Sequence, residues 1–114
     1  MVPLYIGSTS GYSGKNLITI GVGTRLKKDG FKLGYFKPLG THPARVGDVV
    51  TDEGARFNYQ GLGLTDPLEL VCPVVMTHDL LVTGYRQDIP GLEGKIVQAW
   101  RQISEGKDVM LVGG

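Results

Sequence analysis

The chain opens on an apolar run, Val2 to Ile6, which stops at Gly7 and gives way to a Gly- and Ser-rich stretch ending at Gly14. This pattern predicts a buried strand followed by a loop. From Asn16 to Asp29 the apolar Leu17, Ile20, Val22 and Leu26 are spaced among Thr, Arg and Lys, and the Lys27-Lys28 end before Gly30 suits a helix C-terminus. A helix is expected there although Gly21 and Gly23 each cost about 1 kcal/mol relative to Ala; close packing of helix on sheet would compensate. Phe31 to Phe36 reads as a second strand, ended by Lys37-Pro38 because proline brings no N–H to a ladder. Leu39 to Val50, with Gly40, Pro43 and Gly47, reads as a long loop. Thr51 is the expected N-cap of a short helix to about Gln60, with Asp52 and Glu53 favourable in its first turn. Gly61 to Pro67 turns the chain, and Leu70 to Met76, interrupted by Pro73, suits an extended loop or edge segment. The stripe Leu92, Ile96, Trp100, Ile103 has helical spacing, stops at Gly106, and precedes a third strand at Val109 to Val112. Strand, helix, strand and a later helix, strand imply an α/β domain with a mostly parallel, Rossmann-like sheet in a three-layer α/β/α arrangement.

Composition narrows the function classes. With 12 Lys+Arg against 11 Asp+Glu the net charge is +1, and the densest basic cluster is Lys27, Lys28 and Lys32 around a turn, so nucleic acid is not an expected partner. No apolar run approaches the roughly 18 residues that span a bilayer, and Met1 to Leu4 lacks the charged start of a secretion signal, so a cytoplasmic protein is expected. Cys72, the single cysteine, excludes an internal disulfide. Glycine stands out at 18 of 114 residues, against a usual ~7%, which implies many tight turns and close backbone approaches.

The segment Thr9-Ser10-Gly11-Tyr12-Ser13-Gly14-Lys15-Asn16 lies between the first strand and the first helix, where a phosphate cradle belongs. The usual pattern is Gly, four residues, Gly-Lys, then Ser or Thr; here Thr9 takes the first Gly position, with Gly7 and Gly11 nearby. Such a cradle needs backbone N–H groups turned inward and a helix N-terminus behind them. Gly14 would permit the tight turn, and Lys15 would reach the terminal phosphates of a nucleotide.

These residues, with Tyr5-Ile6-Gly7-Ser8-Thr9 before them and Gly34-Tyr35-Phe36-Lys37-Pro38 after the helix, resemble the start of the dethiobiotin synthetase family of P-loop proteins, to which cobyrinic acid a,c-diamide synthase is also related. The branch found at the N-terminus of phosphotransacetylases and beside DRTGG domains is the more similar. That likeness rests on Tyr35 to Gly40, Gly47-Asp48-Val49-Val50-Thr51-Asp52-Glu53, Asp66 to Leu70 and Pro73-Val74-Val75. The resemblance implies ATP or another nucleotide with Mg²⁺ as cofactors, and it makes Lys15 and Lys37 the catalytic lysines facing a carbamate or carboxylate and the phosphate it attacks. Two ammonium groups there would offset the negative charge that gathers as such groups meet. The sequence departs from the family on the metal side: Asn16 replaces the hydroxyl residue, Gly54 stands opposite an Asp, and Leu111-Val112 runs into Gly113-Gly114 without the expected Glu. Asn16 and Asp52 remain as metal candidates. Loss of carboxylates should damage catalysis more than phosphate binding.

Two functions follow. One is a nucleotide- or phosphate-binding module, catalytically weakened and regulatory, within a phosphotransacetylase- or DRTGG-like protein. The other is an active ATP-dependent ligase that phosphorylates a carbamate or carboxylate. The remaining candidates are weaker: His42 reads as a surface residue, His78 and Asp79 as neighbours pointing apart, Cys72 as a small buried hydrophobe, and Trp100 as core packing. Asp48, Asp52 and Glu53 could bind metal or simply favour a helix start. The chain is expected to be the N-terminal piece of a longer protein. With Leu70 to Met76 and Val109 to Val112 leaving apolar sheet edges, a homo-oligomer is expected.

Overall fold

In the computed structural model, residues 1–7, 14–77 and 91–113 are described. Val109 to Val112 is apolar at every position, as a strand covered on both faces must be. It forms the centre of the main sheet as β7 (Val109–Gly113), flanked by β1 (Val2–Ile6) and β2 (Leu33–Phe36) in the order β1-β7-β2. Both pairings are parallel, and Leu111 stands beside Leu4 on one side and Tyr35 on the other. Met110 and Leu111 are fully buried. The expectation of an exposed edge at Val109 to Val112 is therefore corrected, because β1 and β2 take up both of its edges.

Helices cover both faces of β7 and β2. Helix α1 (Lys15–Lys28) lies on the face of Leu33 and Leu111, where a Cβ on Gly23 would stand 2.5 Å from Leu62 and 3.1 Å from each of those two leucines. Gly23 thus has the packing reason expected of it. Gly21 has none, since a Cβ there meets nothing within 4 Å. Helix α4 (Leu92–Ser104) covers the opposite face, with Trp100 edge-on to Phe36 at 5.3 Å between ring centroids and 64° between planes. Between α1 and α4 in the chain come α2 (Glu53–Gly61) and the short α3 (Leu68–Val71). Lys27 donates to the Leu62 carbonyl at 2.7 Å, and Ile20 packs where Gly61 has no side chain, so α1 and α2 are fixed side by side.

Four other expectations change. The first strand is not buried: Val2 is 60% and Tyr5 66% exposed, because β1 is an edge strand that α1 does not cover. Leu17 is exposed too, since the sheet-facing row of α1 runs through Thr19 and Gly23. The expected loop at Leu39 to Val50 contains β3 (Leu39–Gly40) and an antiparallel hairpin of β4 (Pro43–Val46) and β5 (Val49–Asp52). Its two-residue turn begins with Gly47 at φ 61°, a conformation that glycine adopts without strain, and Pro43 is tolerated as the first residue of its strand. Leu70 to Met76 divides: its start belongs to α3, while β6 (Val74–Val75) pairs in parallel with β3. Among the described residues no helix is long and apolar enough to cross a membrane.

The two helix glycines should respond oppositely to substitution. Gly21→Ala is expected to stabilise the fold by about 0.5–1 kcal/mol through lower unfolded-chain entropy and better helix propensity, whereas Gly23→Val should cost about 1–3 kcal/mol by overpacking. Thermal unfolding followed by circular dichroism reads both; equal shifts in the two variants would contradict the packing described.

Candidate functional site

In a parallel sheet the strands end together, and the crevice beyond their carboxyl ends is where ligands are commonly received. Lys37 directly follows β2, and α1 begins at the same end of the sheet. Gly14 caps α1 with φ 81° and ψ 12°, and no side chain caps the helix among the described residues. The first turn of α1 has no acidic residue, so its positive end is not offset locally. Lys15, Asn16, Lys37 and Asp52 line the polar side of a cleft of about 350 Å³; Leu39 and Phe57 line it with apolar surface, and Thr41, His42, Glu53 and Gly54 complete it.

Asp52 organises this cleft. It is fully buried and is the true N-cap of α2, correcting the expectation of Thr51, because its own carboxylate reaches the Ala55 N–H at 3.0 Å. The same oxygen, Oδ2, accepts from Lys37 Nζ at 2.7 Å, while Oδ1 accepts from the backbone N–H groups of Thr41 and His42, each at 3.0 Å. Burial pushes the Asp52 carboxyl up, but the Lys37 hydrogen bond, the His42 and Ala55 amides and the Lys37 charge outweigh it and hold the group below its ordinary range. Gly40 makes this approach possible, for a Cβ there would fall 2.5 Å from the Asp52 Cβ and 2.9 Å from Cys72 Sγ.

A second polar group joins α2 to α1. Asn58, buried on α2, donates to Asn16 Oδ1 at 3.1 Å. Tyr35 is buried as well, and its pKa is pushed up to about 12, chiefly by burial, with Asn58 opposing the rise. A Cβ on Gly113 at the end of β7 would collide with the Tyr35 hydroxyl, so the glycine gives Tyr35 its place. Gly54 sits where the groups meet: a Cβ there would stand 3.2 Å from Asp52 Oδ2, 3.5 Å from Lys37 Nζ and 3.6 Å from Asn16 Nδ2.

The structure thus brings together Gly14, Lys15, Asn16, Lys37 and Asp52 at one end of the sheet. Thr9, Ser10, Gly11, Tyr12 and Ser13 lie outside the described residues, as do His78 and Asp79. Lys37 is 9% exposed and paired, not a solvated strand-end lysine. His42 is exposed but lines the cleft, and Asp48 lies apart from it in the hairpin turn. Cys72 is buried, and burial together with the Asp52 charge raises its thiol to about 12, which fits a packing role. Sequence reasoning did not find the apolar Leu39 and Phe57, the Thr41 and His42 amides, or the pairing of Asp52 with Lys37. Their exposed apolar character is a signal only once the fold places Leu39 and Phe57 beside the lysines.

Comparison with known proteins gives a distant relation and no family assignment. The chain is 31% identical over 115 residues to a phosphate acetyltransferase from Nitrosomonas europaea, in a match that covers all of this chain and 15% of that protein. The two are distantly related. The chain spans about 15% of the length of that relative, and no protein-family model matches it.

Because Asp52 has a lowered pKa in the folded state, its ionised form contributes stability that is fully present above the unfolded value of ~3.9 and is lost as the pH falls through the lower folded value. Asp52→Asn should cost about 3–5 kcal/mol at neutral pH by leaving Lys37 buried without its counter-charge. Denaturant unfolding from neutral to acid pH should show the gap between the two proteins closing below about pH 4; a gap independent of pH would contradict the ion pair.

Proposed function

We propose that this chain is a phosphate-binding module, for the phosphoryl end of a nucleotide or a comparable small phosphate ligand, that works within a phosphate acetyltransferase-like protein. The observation that carries this reading is the convergence of Lys15 and Lys37, 22 residues apart in sequence, on one cleft at the carboxyl end of the parallel sheet. Charge-assisted hydrogen bonds from ammonium groups are among the stronger recognition elements for phosphate. The N-terminus of α1 adds backbone N–H groups and the positive end of its dipole. Asp52 holds the Lys37 head in place, so one of the cations is fixed before any ligand arrives, which lowers the ordering cost of binding.

The distant relation to phosphate acetyltransferase supports a setting in which phosphate chemistry takes place, and the greater length of that relative supports a role beside other domains. In this reading the module senses or holds a phosphate-bearing ligand, and turnover of ATP is not its task.

Lys15→Ala is the test. Calorimetry with inorganic phosphate and ADP should show affinity reduced by about 1.5–3 kcal/mol, the range for a hydrogen bond to a charged group. Equal affinity in the variant, or no binding of either ligand by the unaltered chain, would remove the phosphate-binding reading.

A further inference from the structure

The family resemblance implies Mg²⁺ at this cleft, and the donor set can be tested against that ion. Mg²⁺ keeps several waters and is normally held by one or two carboxylates together with phosphate oxygens. An ionised carboxylate has about four lone-pair sites. All four of those on Asp52 are used, by Lys37 Nζ, Ala55 N, Thr41 N and His42 N. Asn16 Oδ1, the one atom with which its side chain could ligate a cation, has one of its two lone pairs taken by Asn58. Glu53, the other carboxylate at the cleft, is held by Arg56 in a surface ion pair. Among the described residues there is no group of three or more His, Cys, Asp or Glu side chains able to hold a metal. The residues present do not fit a hydrated divalent cation.

Gly54 adds a positive observation to that disagreement. A side chain there would rise from the spot shared by the Lys37 ammonium, the Asp52 carboxylate and the Asn16 amide, at 3.2–3.6 Å from each at its first carbon. Without one, the flank of the Lys37–Asp52 pair beside Gly54 carries no side chain where it lines the cleft. We propose that the cleft takes its phosphate ligand as the bare anion, without a divalent cation, and that Gly54 is the residue that sets this preference. Asp52 is then a positioning residue, whose lone pairs fix a lysine and three amides and leave nothing for a metal. The proposal rests on the phosphate-binding reading above, and its test keeps the two separable.

The experiment is titration calorimetry of the full chain with inorganic phosphate and with ADP, each in EDTA and in millimolar Mg²⁺. Wild type should bind in EDTA with an affinity that Mg²⁺ leaves within about twofold or weakens, whereas a change of about tenfold corresponds to ~1.4 kcal/mol. Gly54→Asp places a carboxylate beside Lys37; it should lose about tenfold or more in EDTA and regain affinity with Mg²⁺. Gly54→Ala serves as the control for bulk and should gain no Mg²⁺ dependence. Wild-type binding that tightens about tenfold with Mg²⁺, or a Gly54→Asp protein that binds as well as wild type in EDTA, overturns the proposal while leaving phosphate binding intact. Absence of binding to either probe under both conditions overturns the phosphate-binding reading itself. Should Gly54→Asp fail to fold, the wild-type comparison decides alone.

Discussion

The Asp52 carboxylate ties together four segments that local structure would leave independent: the end of β2 through Lys37, the turn after β3 through the Thr41 and His42 amides, the end of β5 on which it lies, and the start of α2 through Ala55. A buried charge is tolerated only when it is paired and hydrogen-bonded. Here both conditions are met on one side chain, and meeting them fixes where the cleft is. Gly40 and Gly54 follow from the same constraint: a side chain at Gly40 would have to displace Asp52, and one at Gly54 would crowd its carboxylate.

A buried ion pair is not by itself a source of stability, because desolvation can cancel the attraction, and an apolar pair of similar volume often does as well. What the Lys37–Asp52 pair supplies is position. Lys37 is held by a 2.7 Å bond at the mouth of β2, facing a cleft that Lys15 and the start of α1 also line. The packing that holds those elements is ordinary core: Gly23 lets α1 sit down on Leu33 and Leu111, and Asn58 joins α2 to Asn16 at the start of α1. The cleft and the fold thus share residues at the carboxyl ends of the strands, and the apolar centre of β7 supports both.

Elements whose burial shows in composition or spacing were legible in the sequence. Val109 to Val112 and the Ile96, Trp100, Ile103 stripe carry their burial in composition and spacing, so the strand and α4 were legible, although the central place of the strand was not. Val2 to Ile6 has the same apolar character, yet it lies at an edge, and a run of residues does not say what stands beside it. The hairpin was hidden because Pro43 and the short strands resemble a loop, although Gly47-Asp48 between Val46 and Val49 was a genuine turn signal. Lys15 and Lys37 were legible because each directly adjoins an element end. The role of Asp52 was not, since a helix-start acid looks alike whether it caps, binds metal or pairs with a lysine, and the pairing with Lys37 depends on β3 and β5 coming together.

The most direct measurement is a double-mutant cycle in unfolding free energy on Lys37→Met, Asp52→Asn and the two combined. The four-bond geometry predicts a coupling of about 2 kcal/mol or more, within the range found for contacting residues in one hydrogen-bonded network, with the double variant more stable than Asp52→Asn alone. A coupling below about 0.5 kcal/mol, the value of an exposed surface pair, would mean that Asp52 does not hold Lys37, and the organisation of the cleft described above would be wrong.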